Sequence, residues 1–346
     1  MKYLHLFKTQ SAHTEAYKRG GGYVEPWVDF VKETDEVHYN LPPIDWKTQY
    51  LTFKALEDGT FKFSGNSVSY STDFGKTWTT LSANANSPTV KKDKYIMWKG
   101  ELTPTSSIGV GSFSSTGNYE VMGNPYSLLY GDAFESKTSL TNKNYALYNL
   151  FLNSISLTSA ENLSLPATTL ATYCYQSMFD GCTLLTTAPE LSATTLAANC
   201  YNKMFRNCTS LTTAPELPAT TLAGSCYASM FKGCTSLTTA PSVLPATILN
   251  GSCYSSMFNG CVSLTTAPVL SATRLYSYCY DNMFNGCTSL NYIKAMFTTT
   301  PSSYYTNNWV NGVASTGTFV KNSAATWNVT GANGIPTGWT VQTASA

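Results

Sequence analysis

The sequence predicts a mixed α/β protein in which a small β-sandwich-like N-terminal domain precedes a repeat solenoid with deviant repeats at its ends. Three observations support this prediction. A motif of about 26 residues recurs five times over residues 165–290, short alternating apolar segments fill residues 46–125, and degenerate copies of the motif flank the regular ones. A fixed period of this size is typical of a solenoid, because one copy cannot bury its apolar face alone.

Each regular repeat predicts a short strand followed by a helical corner. The third copy reads LPATTLAGSCYASMFKGCTSLTTAPS. Leu211, Ala214 and Leu217 suit a short strand that faces inward at one end. Cys226, Met230 and Cys234 lie at i, i+4 and i+8, which predicts about two turns of helix. The glycine before the second cysteine marks a corner of the repeat.

All ten cysteines lie in the repeat block, two in each copy. Their C-x7-C spacing argues against zinc, and so do the three histidines, which lie far upstream at His5, His13 and His38. Each column holds five cysteines, so disulfide pairing within a column would leave one unpaired. We favour buried free thiols that pack as small apolar groups, which suits assembly in a reducing cytoplasm. No metal and no other cofactor is expected.

The N-terminal part of the chain is expected to contain an arm and a β domain. Residues 1–45 are interpreted as an attachment arm and linker. In the β domain, residues 46–125, TQYLTFKAL and TFKFSG flank an Asp-Gly turn, and NSVSYST and TWTTL flank a second turn, so two hairpins are predicted. The second turn, residues 71–78, is similar to the Asp-box of sialidases and other carbohydrate-active β proteins. Its single copy favours a structural role.

Deviant repeats are expected to close both ends of a solenoid that spans residues 126–320. Residues 126–164 match the repeat without its cysteines and form the predicted N-terminal cap. Residues 291–320 form the C-terminal cap repeat, with a tryptophan in place of the repeat's phenylalanine. Residues 321–346 are expected to be a β cap and tail.

Composition argues against several functions. The formal net charge is +1, and only 12% of residues are charged, so there is no basic patch for nucleic acid. No segment reaches transmembrane length, and the N-terminus does not have the pattern of a secretory signal. We therefore expect no membrane insertion and a route out of the cell other than signal-peptide export. The repeats contain no histidine and few acids, so we expect a protein that is not an enzyme.

Several segments together carry a family resemblance. The repeat LPATTL…CYxxMFxGCTSLTTAPE, the segments YVEPWVDF, YLTFKALEDGTF and SVSYSTDFGKTW, and the ending GTFVKN…GIPTGW resemble BspA-like leucine-rich-repeat proteins of gut Bacteroidales and their phages. The resemblance implies a leucine-rich-repeat solenoid and a surface adhesin or a phage-borne protein.

Two functions follow as expectations from the resemblance. The first is a structural protein of a phage virion, a tail or head fibre or appendage assembled in the host cytoplasm. Its arm would contact other virion proteins, and its solenoid would bind a host surface glycan or protein. A homo-oligomer would suit a fibre. The alternative is a leucine-rich-repeat adhesin on a bacterial cell surface.

Two columns of side chains are candidate binding residues. The threonine column consists of Thr187, Thr213, Thr239 and Thr266. The tyrosine column consists of Tyr175, Tyr201, Tyr227, Tyr254 and Tyr280. Tyrosine makes good contacts with sugars and proteins. The alternative is that the tyrosines pack between repeats and the threonines are ordinary β surface, and we favour that alternative.

Overall fold

A computed structural model describes residues 45–106 and 108–344. This part of the chain is mostly β-sheet with almost no helix. Its strands are β1 (Leu51–Ala55), β2 (Phe61–Phe63), β3 (Val68–Ser71), β4 (Thr79–Leu81), β5 (Tyr95–Lys99), β6 (Phe113–Ser115), β7 (Tyr119–Gly123), β8 (Leu157–Leu163), β9 (Val243–Leu244), β10 (Val269–Leu270), β11 (Tyr292–Ala295), β12 (Thr318–Lys321) and β13 (Thr340–Thr343). Helical structure consists of one α-helical turn, Ser127–Tyr130, and two 3-10 turns, Trp46–Thr48 and Gly131–Ala133.

The N-terminal region consists of a six-stranded and a two-stranded sheet. The first has the order β4-β3-β5-β1-β7-β8, and the second pairs β2 with β6. Phe53 of β1 contacts Phe61 of β2 and Phe113 of β6, with ring centroids 5.2 and 4.8 Å apart. These rings are almost fully buried, so the two sheets share one aromatic core.

One of the two predicted hairpins is confirmed and the other is wrong. β3 and β4 pair antiparallel, as the sequence predicts. β1 and β2 do not pair with each other: β1 pairs with β5 and β7, and β2 pairs with β6. The Asp-Gly turn between β1 and β2 contacts residues 90–92 instead: Gly59 pairs with Val90, and the Asp58 carboxylate accepts hydrogen bonds from Lys91 and Lys92. The chain therefore crosses from one sheet to the other at this turn.

The solenoid begins as a direct continuation of the six-stranded sheet. Its first strand, β8, pairs parallel with β7. Ser159 of β8 then bridges to Thr187 in the first regular repeat. One hydrophobic cluster runs from Tyr50 to Trp339. The deviant repeat covers the apolar end of the first regular repeat, since Phe151 stacks on Phe179 with centroids 5.4 Å apart. The N-terminal sheets cover the deviant repeat in turn, through the contact of Phe113 with Phe151.

The CYxxMFxxC segment forms consecutive turns instead of the predicted helix. Every fourth residue has a positive φ, for example Asn199 (56°), Lys203 (58°) and Asn207 (59°). In the other regular repeats the last of these positions is a glycine, with φ between 76° and 78°: Gly181, Gly233, Gly260 and Gly286. A positive φ at the third residue is typical of a type II turn. In each segment, type II turns therefore alternate with turns whose third residue does not have a positive φ.

Hydrogen bonding explains why turns replace the helix. The amides of Cys200, Asn202 and Met204 donate to the carbonyl three residues earlier. The intervening amides of Tyr201, Lys203 and Phe205 donate to carbonyls of the next repeat, at about 2.9–3.0 Å. A helix would satisfy all of these donors within one repeat. Here half of them stack one repeat on the next, so the predicted mixed α/β class is corrected to a β-solenoid.

The predicted inward residues are nevertheless buried. Cys226, Met230 and Cys234 have no exposed surface. The four-residue period of the turns brings i, i+4 and i+8 to one face, as a helix of 3.6 residues per turn does. Phenylalanines of successive repeats stack with centroids 5.3–5.7 Å apart. The core is therefore a set of parallel ladders of identical side chains.

The C-terminal end of the solenoid is a parallel sheet in the order β13-β12-β11-β10-β9, about four turns. Trp309 takes the place of the repeat's phenylalanine. The Phe284 amide donates a hydrogen bond to the Trp309 carbonyl at 2.7 Å, which joins the turns of the two copies. Trp327 stacks on Phe297 with centroids 5.2 Å apart. Trp327 and Trp339 are both buried and cover the last repeat.

The turns give a testable difference between two glycines in one repeat. Gly233 has φ 77°, and a Cβ there would lie 2.5 Å from Asn207 Oδ1. We expect Gly233→Ala to lower the free energy of unfolding by about 1–2 kcal/mol. Gly224 lies outside the left-handed region, and a Cβ there meets only the Gly251 carbonyl oxygen at 3.8 Å. Gly224→Ala is the control and should change stability by less than about 0.5 kcal/mol. Equal losses in urea unfolding would contradict this description of the turns.

Candidate functional site

The threonine column lies on the surface of the solenoid. Thr187, Thr213, Thr239 and Thr266 are all exposed. Parallel bridges hold the column in register, from Ser159 to Thr187, from Thr213 to Thr239 and from Thr266 to Tyr292. The threonine before each of these is also exposed. The repeats therefore present a double row of hydroxyl groups on a regular parallel ladder.

Both rows contain hydroxyls that are already bonded within the protein. In the first row, Thr186 Oγ1 donates to the Thr158 carbonyl at 2.9 Å, and Thr238 Oγ1 donates to the Thr212 carbonyl at 3.2 Å. In the second row, Thr187 pairs with the Ser159 hydroxyl. Within the described chain, the hydroxyls of Thr213, Thr239 and Thr266 have no protein partner. These hydroxyls are free to bond a ligand.

A groove of about 530 Å³ runs beside the first part of the threonine column. Thr187 and Thr213 both line it, together with Pro189, Leu191 and Pro215. Pro189 and Leu191 are buried, so they form an apolar floor, whereas the threonines are exposed at its side. An apolar floor with a few hydrogen-bonding groups is the usual composition of a ligand site. We call this feature the threonine groove.

Acidic side chains line the threonine groove. Glu161, Glu190 and Glu216 all lie along it and are exposed. The Glu216 carboxylate accepts hydrogen bonds from the amide and hydroxyl of Ser242, at 2.9 and 3.2 Å. A neighbouring cavity of about 450 Å³ shares Glu161 and Glu190 and reaches Asp45. The groove therefore combines an apolar floor with a negative rim.

The sequence does not single out this floor. Its prolines come from the TAP segment of each repeat, and a proline after a strand indicates only a corner. Pro189 and Pro215 repeat with the same period as the threonines, so their alignment could have been noticed. The depth of the groove depends on side-chain packing, which the sequence pattern does not give.

The tyrosine column is inside the solenoid and does not form a binding surface. Tyr175, Tyr201, Tyr227, Tyr254 and Tyr280 are at most 2% exposed. Their rings stack with centroids 5.5–5.9 Å apart. Burial raises the pKa of every one of these phenols well above its ordinary value. These tyrosines therefore pack between the repeats, which is the alternative that we favoured from the sequence.

The ten thiols are all free and buried. Cys208 and Cys234 donate through Sγ to the carbonyls of Phe179 and Phe205, both at 3.1 Å. Burial raises the pKa of the thiols, to about 12 at Cys174 and Cys279. Among residues 45–106 and 108–344, no group of histidine, cysteine or carboxylate side chains is arranged to hold a metal ion.

The Asp-box turn is bonded to itself. Asp73 accepts hydrogen bonds from the Thr77 amide at 2.9 Å, from the Thr77 hydroxyl at 2.7 Å and from the Ser71 hydroxyl at 2.7 Å. Burial works against ionisation, but these bonds hold the pKa of Asp73 below its ordinary value. Trp78 contacts Tyr50, with centroids 5.0 Å apart. The carboxylate is occupied in shaping the turn, which fits the structural interpretation.

Comparisons with known proteins give no relative. The chain matches no family model, no curated protein and no solved structure. None of the helices in the described residues has the length and apolar character needed to cross a membrane.

The buried thiols predict a steep loss of stability in alkali. The folded thiols keep their protons, whereas unfolded thiols lose them above their ordinary pKa of 9.0. The unfolded state therefore binds fewer protons than the folded state above this pH, and stability falls as pH rises. Each thiol contributes up to about 1.4 kcal/mol per pH unit. The urea midpoint, measured with a reductant present, should drop sharply between about pH 8 and about pH 10.

The matched control for the alkaline loss is the double variant Cys208→Ala and Cys234→Ala. Its urea midpoint should fall less steeply with pH, because two of the titrating groups are gone. A midpoint that does not change over this pH range in the parent protein would show that the thiols are not protected as described.

Proposed function

We propose that this chain is a non-enzymatic structural and binding protein of a phage virion, a tail or head fibre or appendage. Its solenoid binds a glycan or protein on the host surface through the threonine groove. The observation that carries the proposal is the unpartnered hydroxyl of Thr213 beside the apolar floor of the groove, from which Thr239 and Thr266 continue the column of unpartnered hydroxyls along the solenoid. Hydroxyl groups on an ordered ladder and a flat apolar floor suit the hydroxyls and C–H faces of a glycan.

The low charge of the solenoid surface supports binding by contact rather than by long-range attraction. Only 12% of the chain is charged, and the formal net charge is +1. Such a surface adds little electrostatic steering to association. Affinity would then come from many equivalent sites acting together, as in a multivalent appendage.

The finer fold assignment is part of the same proposal. We assign the solenoid to the BspA type of leucine-rich repeat and the N-terminal sheets to a small sandwich. The sequence motifs support the repeat type, and the Phe53, Phe61 and Phe113 contacts between the two sheets support a sandwich. In this assignment residues 1–45, most of which lie outside the described residues, serve as the arm that contacts other virion proteins.

The threonine groove is tested with a pair of double variants. Thr213→Val, at the groove, and Thr239→Val, at the next residue of the threonine column, remove two free hydroxyls while keeping the β-branched shape. We expect binding to host cells to weaken by about thirtyfold, since each of the two lost hydrogen bonds is worth about 1 kcal/mol. The control is Thr194→Val with Thr220→Val, which are exposed in the same repeats but belong neither to the groove nor to the threonine column. Equal binding by both variants in flow cytometry of labelled protein on host cells would reject the groove.

The virion assignment is tested by mass spectrometry of purified particles and of washed host cells. A small symmetric copy number in the particles supports the proposal. A chain found on washed cells and absent from the particles would reject it and would favour the bacterial adhesin.

A further inference from the structure

The second feature of the solenoid surface is a group of exposed tyrosines near its C-terminal end. Tyr276, Tyr278 and Tyr304 are 55%, 48% and 52% exposed, and no other tyrosine appears among the strongly exposed large side chains of the described chain. Tyr278 and Tyr304 have ring centroids 5.4 Å apart, and Tyr305 packs edge-on against Tyr304 at 5.0 Å. Large exposed rings that lie together usually mark an interaction site.

These tyrosines replace small residues of the repeat. The positions that match Tyr276 in the two preceding copies are Asn250 and Ala223, and those that match Tyr278 are Ser252 and Ser225. The repeat packs without an aromatic ring at either position. The rings of the last copy are therefore not needed by the core, and they face solvent.

The backbone conformation at residue 278 disfavours a side chain as large as tyrosine. This position has φ 54° in Tyr278, and the matching Ser225 and Ser252 also have φ 54°. A bulky side chain is disfavoured in the left-handed region, whereas small polar residues tolerate it better. Strained residues of this kind are concentrated at functional sites.

The same column carries tyrosines at its N-terminal end. Tyr145 and Tyr173 also have left-handed backbones, with φ 59° and 60°. Their rings stack face to face, with centroids 4.8 Å apart and an interplanar angle of 9°. At the usual strand spacing, the four repeat steps from Tyr173 to Tyr278 span about 19 Å. Two aromatic groups thus stand at the ends of one column.

Backbone donors lie between the two aromatic groups. Two residues before the first cysteine, the amides of Ala198, Gly224 and Ser277 donate to no acceptor within the described protein, whereas the matching amide of Gly251 donates to the Asn250 side chain at 2.7 Å. The Gly224 carbonyl, in contrast to its amide, has a partner within the protein, since it accepts a hydrogen bond from the Asn199 amide at 3.1 Å. All three residues are partly exposed. An amide without a protein partner needs water or a ligand oxygen.

The chemistry of this surface selects one kind of ligand. The three positions before the first cysteine contain no charged residue in any of the five copies. Aromatic rings pack against the C–H faces of sugar rings, and their hydroxyls with the free amides bond sugar hydroxyls. An anionic or cationic ligand would find no opposite charge at these positions.

We propose that a neutral linear oligosaccharide binds along this column, stacked on Tyr278 and Tyr304 at one end and on Tyr173 at the other. Its hydroxyl oxygens accept hydrogen bonds from the amides of Ala198 and Gly224. This surface is separate from the threonine groove, so the proposal does not depend on the function proposed above.

The probes are defined hexasaccharides of glucose, mannose, xylose and N-acetylglucosamine, with an anionic galacturonate oligosaccharide as the contrast. Titration calorimetry of the full chain should show millimolar or tighter binding of at least one neutral probe and none of the anionic probe. Tyr278→Ser restores the residue of the preceding copies and should weaken that binding by about tenfold. The variant keeps a residue that the backbone accepts at φ 54°, so folding should be preserved.

A second variant tests the amides between the rings. Gly224→Leu covers the free donor, and a Cβ there meets nothing closer than 3.8 Å, so the fold can accept it. It should weaken the same oligosaccharide by about tenfold, with an unchanged circular dichroism spectrum. The double variant Thr213→Val and Thr239→Val should leave this binding unchanged, which separates the two surfaces. Failure of every neutral probe to bind, or binding that Tyr278→Ser or Gly224→Leu leaves unchanged, would overturn the proposal.

Discussion

Hydrogen bonds between successive repeats are the constraint on which the solenoid depends. In each CYxxMFxxC segment, every second amide donates to the following copy rather than to its own turn. This pattern fixes the register, because a shift by one residue would exchange the two kinds of amide. It also requires a positive φ at every fourth residue, which is why glycine, asparagine and serine occupy most of those positions. No single copy can satisfy these donors alone.

The same constraint decides which side chains are inside. Cysteine, tyrosine, methionine and phenylalanine of one copy fall directly on their equivalents in the next, so each type forms its own ladder. The thiols fit because they are small, and they need no partner other than a backbone carbonyl. The residues left outside include the threonines and the residues before the first cysteine, Tyr278 among them. Both candidate binding surfaces are built from these residues, which the core does not use.

Much of the fold could be predicted from the sequence, and the limits have physical causes. The period, the glycine corner at Gly233 and the burial of Cys226 and Met230 follow from patterns that depend only on spacing. The predicted helix is wrong because the burial pattern cannot distinguish it from consecutive turns. A four-residue turn period and a 3.6-residue helical period place the same residues on one face. The first hairpin fails because its Asp-Gly turn is bonded to residues 90–92 instead of joining adjacent strands.

The candidate sites were predictable to a smaller degree. The sequence identifies the threonine column as regular, and the column is exposed. It cannot show which hydroxyls are already bonded, since Thr186 and Thr213 occur in the same repeated motif but differ in their partners. The tyrosine column illustrates a related limit. Tyr278 and Tyr280 lie two residues apart in one copy, yet Tyr280 is buried and Tyr278 is half exposed, because they occupy different positions of the turns.

Each copy contacts only its neighbours, and this has a consequence for how such a gene can change. Duplication or deletion of one whole copy would keep the backbone bonds at every remaining junction, since the amides of the CYxxMFxxC segments bond the following copy in the same way at each step. The sheets at one end and the tryptophans at the other would still meet the same surfaces. The chain can therefore lengthen or shorten in steps of one repeat, and unequal recombination within the gene would alter the reach of the protein without redesigning its ends.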